Sequence, residues 1–208
     1  MANDTWNHAA ARVLVRPLVG TGVKPDHITT VRVVTGAASL GLLAWATPAA
    51  ILWAGVLWIV SGFLDRADGE LARIGNMQSR SGHLYDYYSD VALNSLFFLA
   101  AGVAVRHSWL GGWAVPLGLV GCLAMLACCW WSEIYEDAAG PGVRTWEGAW
   151  GFQPDDALYL LAPAMWLGWL APIVVAAAVC SSVMAVVILA RLIGLKRRLA
   201  QEGQASAA

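Results

Sequence analysis

Charged residues are scarce in this sequence. Asp, Glu, Lys and Arg together make up 13% of its 208 residues, against ~25% in typical soluble domains. The formal net charge is −1, and there is no basic stripe interleaved with aromatic residues. A nucleic-acid partner is therefore not expected. The scarcity of charge also disfavours a soluble domain, whose surface needs polar groups to face water on all sides.

Cysteine is also rare, and its placement excludes two further classes of protein. The four cysteines, Cys122, Cys128, Cys129 and Cys180, lie inside apolar runs, without a CxxC pair or a nearby His. Neither a disulfide framework nor a zinc site is expected from this pattern. We interpret these cysteines as small hydrophobic residues.

Apolar residues dominate instead. They make up 59% of the sequence, which also contains 12 tryptophans, and this composition indicates an all-α integral membrane protein. Six apolar runs predict a bundle of six transmembrane helices, although the fifth run is short for the ~20 residues that a bilayer requires. The predicted spans are residues 29–46, 49–66, 83–105, 109–131, 157–170 and 173–194.

The ends of the chain differ from this apolar middle. Residues 3–20 alternate apolar and basic residues, which predicts an amphipathic helix lying in the membrane interface; a disordered terminus is the alternative. We therefore divide the chain into an amphipathic segment at 1–28, a transmembrane domain at 29–195 and a cytoplasmic tail at 196–208.

The basic residues predict the orientation of the spans. With six spans, one side of the membrane receives both termini and every Lys and Arg except Arg106. Because basic loops remain in the cytoplasm, that side is predicted to be cytoplasmic. We expect a multi-pass protein of the cell (inner) membrane with both termini inside.

Four carboxylates stand out near the end of the second predicted span and the start of the third. Asp65 and Asp68 are three residues apart, and Asp86 and Asp90 are four apart. Each pair therefore lies on one face of its helix. Carboxylates that converge at a membrane surface repel one another unless cations lie among them, and oxygen ligands suit Mg²⁺ or Mn²⁺. A solvated acidic loop is the alternative.

The residues around these carboxylates form a fixed pattern. It reads Asp65-x-x-Asp68-Gly69-x-x-Ala72-Arg73, then eight residues, then Gly82-x-x-x-Asp86-x-x-x-Asp90. This pattern resembles the signature of the CDP-alcohol phosphotransferases, which are integral-membrane enzymes. The segment from Pro25 to Thr29, with Arg32, is similar to one that precedes the first span in that family, although Asp26 replaces the expected Asn.

The resemblance implies an activity and a set of roles. The enzyme would move a phosphatidyl or related group from a CDP-linked lipid, such as CDP-diacylglycerol, to a small polar alcohol, and would release CMP. The resemblance implies two Mg²⁺ or Mn²⁺ ions, with Asp90 as the general base. It also implies that the enzyme is a homodimer in contact with membrane lipids. The implied metal ligands are Asp65, Asp68, Asp86 and Asp90. The residues expected to bind the donor nucleotide are Thr29, Asp68, Gly69, Ala72, Arg73 and Gly82.

The acceptor is predicted from charges beyond the pattern. The candidate acceptor-binding residues are Arg80, Glu133, Arg144 and Arg191. Glu133 and the tryptophans before it would suit an ammonium group, which favours an amino alcohol such as serine, ethanolamine or choline. A phosphorylated polyol, either glycerol phosphate or inositol phosphate, remains the alternative acceptor.

Two other classes of function, a transporter and a catalytically inactive scaffold, fit the sequence less well. Intramembrane carboxylates are common in transporters, but a transporter predicts acidic residues at mid-span and a repeat between two halves. Here the carboxylates cluster towards one face of the membrane, and no internal repeat is evident. A catalytically inactive scaffold would be expected to lack at least one of the aspartates. Glu70, inside the pattern, is expected to be solvated.

Overall fold

The computed structural model describes residues 6–140, 142, 143, 145 and 154–205. This part of the chain is all-helical and contains no strands, which confirms the all-α part of the predicted fold class. Its helices are α1 (Trp6–Val15), α2 (Pro25–Trp45), α3 (Pro48–Ile74), α4 (Arg80–Ala104), α5 (Ala114–Ala139), α6 (Leu161–Trp166) and α7 (Leu170–Ala205).

The sequence explains where the long helices begin. Pro25 and Pro48 are the first residues of α2 and α3, a position that suits proline because its missing N–H is not needed there. The Thr47 hydroxyl accepts a hydrogen bond from the backbone N–H of Ala50. Ser79 caps α4 in the same way, by accepting from Gly82 N at 3.0 Å. Each hydroxyl satisfies one of the free N–H groups of a first turn.

Among the residues that the structure describes, four helices are long and apolar enough to cross a membrane. They are Pro25–Trp45, Pro48–Ile74, Gly111–Ala139 and Leu170–Gln201, and they include four of the six predicted spans. α4 has 25 residues but carries Asp86 and Asp90 in its first half, and it is not among the four. The segment Ala157–Trp166 is a shorter apolar helix. The six-span count therefore remains a prediction.

The bounds of several elements differ from those predicted. α5 continues past its predicted end at 131, to Ala139. α3 continues eight residues past the predicted end at 66, to Ile74. The first part of the fixed pattern, from Asp65 to Arg73, therefore lies within this helix. The predicted fifth span is a 3₁₀ turn, Pro154–Leu160, followed by the short α6. α7 extends past the predicted boundary at 195 to Ala205. A helix is present at Trp6–Val15, but its position in the membrane interface remains a prediction.

The larger of two apolar cores holds most of the described helices together. It joins all the helices except α1 and is centred on Trp58 and Phe97, whose ring centroids are 4.7 Å apart. The Trp58 indole donates to the Leu158 carbonyl at 3.0 Å, which holds the turn before α6 against α3. A smaller core of Val15, Ile28, Ala67 and Leu71 joins α1 to α2 and α3.

Tryptophans mark the opposite end of the bundle. Trp45 ends α2, and Trp109 and Trp113 lie between α4 and α5; all three are more than 70% exposed. Such residues are typical of a membrane–water interface. The four carboxylates lie at the other end of α3 and α4. One end of the bundle therefore carries exposed tryptophans, and the other carries the carboxylates.

Candidate functional site

Three helices bring the site together. The second half of α3 carries Asp65 and Asp68, and the first half of α4 carries Asp86 and Asp90, while the start of α2 contributes Thr29. Asp65, Asp68 and Asp86 each offer an oxygen, and these oxygens all lie within 4.8 Å of one another. The two pairs that the sequence placed on separate helix faces therefore meet in space.

The environment differs along this row of carboxylates. Asp68 is 3% exposed, and its Oδ2 accepts a hydrogen bond from the Thr29 hydroxyl at 2.7 Å. Asp65, Asp86 and Asp90 are half-buried. The row is therefore anchored at Asp68 and more accessible at its other members.

Arg32 lies in the middle of the row, a role that the sequence did not assign to it. Its side chain is 3% exposed, and Nη1 lies 2.7 Å from Asp65 Oδ1 and 2.6 Å from Asp86 Oδ1. Nη2 lies 2.5 Å from Asp90 Oδ1. The available signal was an arginine three residues after Thr29 inside an apolar helix, because buried charges in such helices are costly and usually functional.

The donor set suits a divalent cation. Three carboxylates within 4.8 Å of one another offer only hard oxygen ligands, the kind that Mg²⁺ and Mn²⁺ prefer. Asp90 lies one turn beyond Asp86 on α4, outside this group of three. Its Oδ1 accepts hydrogen bonds from Arg32 and from the Asn94 amide, the latter at 2.8 Å.

A groove of about 390 Å³ opens on one side of the row and contains all six residues predicted to bind the donor nucleotide. Asp68 and Asp86 form its edge towards the carboxylate row. Gly82 borders it tightly, since a Cβ there would lie 2.9 Å from Ser79 Oγ and 3.0 Å from Asp26 Oδ1. The groove is lined by Pro25, Asp26, Thr29, Asp68, Gly69, Ala72, Arg73, Met77, Gln78, Ser79, Gly82, His83 and Asp86.

A second cavity lies on the other side of the row. The carboxylates that line it are Asp65 and Asp90 rather than Asp68 and Asp86. The carboxylate row thus separates two spaces, each bordered by one carboxylate from α3 and one from α4. The second cavity is lined by Arg32, Trp58, Ser61, Gly62, Asp65, Arg66, Asp90, Leu93, Asn94, Leu158 and Tyr159.

The candidate acceptor residues lie elsewhere. Arg80 is exposed at the start of α4, Glu133 is exposed on α5, and Arg191 lines a separate groove between α5 and α7. Arg144 lies outside the described residues. None of the three that are described lines the cavity at Asp90.

Three other polar residues that line this cavity were not predicted from the sequence. Arg66 lies inside the fixed pattern, Asn94 follows Asp90 by one helical turn, and Tyr159 comes from the turn before α6. Helical spacing from Asp90 could have indicated Asn94, but Arg66 directly follows Asp65 and has no such spacing. No local pattern pointed to Tyr159, because its position depends on how a distant segment packs against α3.

The expectation that Glu70 is solvated was wrong. Its side chain is 1% exposed and contacts two arginines. Arg12 Nε lies 3.0 Å from Glu70 Oε2, and Arg73 Nη1 lies 2.5 Å from Glu70 Oε1. The free-energy cost of burying this carboxylate is offset because it is paired and hydrogen-bonded.

Comparison with known proteins agrees with this geometry. The family model described as CDP-alcohol phosphatidyltransferase matches residues 23–183. A search of curated proteins gave no significant match. The matched range includes the row of carboxylates and both cavities. It also includes the whole of three of the four helices that are able to cross a membrane. The chain therefore belongs to the CDP-alcohol phosphatidyltransferase family, whose members transfer a substituted phosphate group from a CDP-alcohol.

Proposed function

We propose that the protein transfers a phosphatidyl group from CDP-diacylglycerol to the hydroxyl of a small polar alcohol. The acceptor oxygen forms a bond to the lipid-linked phosphorus, the bond from that phosphorus to CMP breaks, and the hydroxyl proton passes to a base. The observation that carries this proposal is the pair of cavities that meet at the carboxylate row. Two substrates that react directly need two adjoining spaces with the reacting atoms between them.

The groove at Asp68 and Asp86 is the proposed donor site. Gly69 has no Cβ, which leaves space for the nucleotide to approach the backbone. The nearest atom to the position that a Cβ would take is Arg73 Nη2, at 3.7 Å. The guanidinium of Arg73 can pair with a donor phosphate through charge-assisted hydrogen bonds. Four helices able to cross a membrane support a donor that is itself a membrane lipid.

Asp65, Asp68 and Asp86 are the residues that would hold Mg²⁺ or Mn²⁺, with Asp90 as a further ligand if two ions bind. A divalent cation there supplies charge neutralisation for the donor pyrophosphate. The Thr29 hydroxyl fixes the orientation of Asp68, which helps to keep these oxygens turned towards one another.

Asp90 is the proposed general base. It lines the second cavity, and Asn94 and Arg32 fix its carboxylate there. A base must lie within hydrogen-bonding reach of the proton that it removes. An alcohol bound in the second cavity satisfies this requirement.

Two kinds of acceptor are considered, an amino alcohol and a phosphorylated polyol. The amino alcohol remains a prediction, but the support that it drew from Glu133 does not extend to this cavity, where that residue is not part of the lining. The lining carries charges of both signs. Asp65 and Asp90 suit the ammonium of an amino alcohol, whereas Arg66, whose Nη1 lies 3.4 Å from Asp65 Oδ2, suits the phosphate of the alternative, a phosphorylated polyol. Asn94 and Tyr159 can bind hydroxyls of either acceptor.

The placement in the membrane is also part of the proposal. We propose six transmembrane helices within a catalytic domain at 29–195, with both termini and the carboxylate row on the cytoplasmic side of the inner membrane. The support is the basic residues near the C-terminal ends of α3 and α7, because basic segments remain in the cytoplasm. A homodimer is proposed from the family resemblance alone.

The test is CMP release by the purified protein in vesicles that contain CDP-diacylglycerol. Serine, ethanolamine, choline, glycerol phosphate and inositol phosphate are added singly, with Mg²⁺, with Mn²⁺ or with excess chelator. We expect CMP release to require one acceptor and a divalent cation. Full activity in excess chelator would contradict the metal site, and no release with any acceptor would contradict the proposed donor.

A further inference from the structure

A buried carboxylate lies directly behind the donor groove. Glu70 is among the most deeply buried side chains of the described part of the chain, and it bridges two arginines from different helices. Arg12 comes from α1 and contacts one oxygen, while Arg73 comes from α3 itself and contacts the other. The mechanism above uses Arg73 but neither of the other two residues.

This contact controls where the Arg73 guanidinium can lie. An exposed arginine normally samples many rotamers, and the Arg73 side chain is 52% exposed. Glu70 binds its Nη1, and Nη2 lies 3.7 Å from the position that a Cβ on Gly69 would take, next to the groove that both residues line. One edge of the guanidinium is thus held by Glu70 while another faces the space proposed for the donor phosphates.

The charges of the three residues do not cancel. Two guanidinium groups contact one carboxylate, so these three side chains by themselves sum to one positive charge. Without Arg12, Arg73 and Glu70 would form a neutral pair, which attracts a phosphate less strongly. Arg12 is itself held in place, because Val15, one turn further along α1, packs with Ala67 and Leu71.

We propose that Glu70 is a positioning residue that fixes Arg73 for the donor phosphate, and that Arg12 makes the N-terminal helix part of the donor site by balancing the Glu70 charge. This inference rests on the proposed function, because it takes the groove to be the site of a CDP-linked donor. It assigns a binding task to α1, a helix that lies before the residues matched by the family model.

Two variants test this directly, and both are measured for CMP binding without turnover as well as for steady-state kinetics. Glu70→Gln keeps the volume but removes the charge that holds Arg73. Arg12→Met keeps most of the aliphatic packing but removes the balancing cation. For each we expect the Kd for CMP and the KM for the donor to rise about tenfold, the size of one charge-assisted hydrogen bond, while kcat changes less than about twofold.

Arg16→Met is the matched control. It removes the same charge from an exposed position in the turn that follows α1, and it should leave CMP binding unchanged. If Arg12→Met and Arg16→Met bind CMP equally well, the proposed role of Arg12 is wrong. Because Arg12→Met alters a partly exposed residue, it decides this point even if Glu70→Gln fails to fold.

A double variant separates positioning from general stabilisation. If Glu70 acts through Arg73, adding Glu70→Gln to Arg73→Met should weaken CMP binding no further. Additive losses would show that Glu70 supports the fold rather than Arg73 and would overturn the inference. If the wild-type protein does not bind CMP, the proposed function fails; if it binds CMP and both single variants bind it equally well, only this inference fails.

Discussion

Arg32 combines contacts that are seldom made by one side chain. Its guanidinium reaches Asp65 on α3 and both Asp86 and Asp90 on α4, from a buried position on α2. Carboxylates at such distances repel one another, and a planar guanidinium with several donors can bind more than one of them at once. Arg32 therefore stabilises the approach of three helices as well as the orientation of the carboxylates.

Replacing Arg32 should expose this repulsion. We expect Arg32→Met to lower the free energy of unfolding by up to about 3–5 kcal/mol, the usual loss when one partner of a buried ion pair is removed. The loss should be smaller than that limit because the three carboxylates are half-buried. Arg32→Lys should recover part of it, since an ammonium keeps the charge without the planar geometry. Thermal melting in detergent measures the effect, and an unchanged melting temperature for Arg32→Met would contradict it.

Asp90 should be separable from its neighbours by kinetics. Asp90→Asn keeps the size and hydrogen bonding of the side chain but removes the base, so kcat should fall about 10²–10⁴-fold while CMP binding is retained. Ser89→Ala is the control, because that hydroxyl donates to the Tyr85 carbonyl of its own helix. Near-normal turnover by Asp90→Asn would mean that another group takes the proton.

At the scale of single residues, the spacing of the aspartates indicated which side chains share a helix face, and their roles in binding metal and donor remain predictions. Fixed helical spacing was enough, because Asp65 and Asp68, like Asp86 and Asp90, are neighbours on one helix. The contacts of Glu70 with Arg12 and of Arg32 with Asp90 each join residues 58 positions apart. No local pattern encodes such contacts, since they depend on how four helices pack.

The crossing of α4 and α5 depends on two glycines. A Cβ on Gly102 would lie 2.7 Å from the Ala114 carbonyl and 2.9 Å from the Cα of Gly118. A Cβ on Gly118 would in turn lie 2.7 Å from the Phe98 carbonyl. These are backbone atoms that cannot move aside, so the helices approach more closely than any larger residue would permit.

Alanine at either glycine should separate these helices. We expect Gly118→Ala to cost about 1–3 kcal/mol, as overpacking usually does, and Gly102→Ala to behave similarly. Gly41→Ala on α2 is the matched control, because a Cβ there meets nothing within 4 Å. Thermal melting distinguishes them, and equal melting temperatures for the α5 variant and the control would contradict the close crossing.

At the scale of elements, composition predicted the apolar helices better than their ends. Proline and Thr47 set the starts of α2 and α3. The fifth predicted span was the least accurate, because its residues are apolar but form a 3₁₀ turn and a six-residue helix. Apolar composition reports burial in lipid or in protein alike, so it could not distinguish a full span from a short packed segment.

The molecule as a whole should be polarised across the membrane. If six helices cross, Ser108 lies opposite both termini. A cysteine at Ser108, in a variant that lacks the four native cysteines, should react with an impermeant reagent only from outside the cell. A cysteine at Gln201, near the end of α7, is the control and should react only from the cytoplasmic side. Labelling of both positions from the same side would contradict the six-span topology.

The position of the carboxylate row between two cavities has a consequence for the order of events. Donor and acceptor have separate places, so both can be bound at once, and neither has to leave before the other enters. Kinetic lines measured at several acceptor concentrations should therefore intersect rather than run parallel. A single direct displacement should also invert the configuration at phosphorus, whereas a phosphatidyl-enzyme intermediate would retain it.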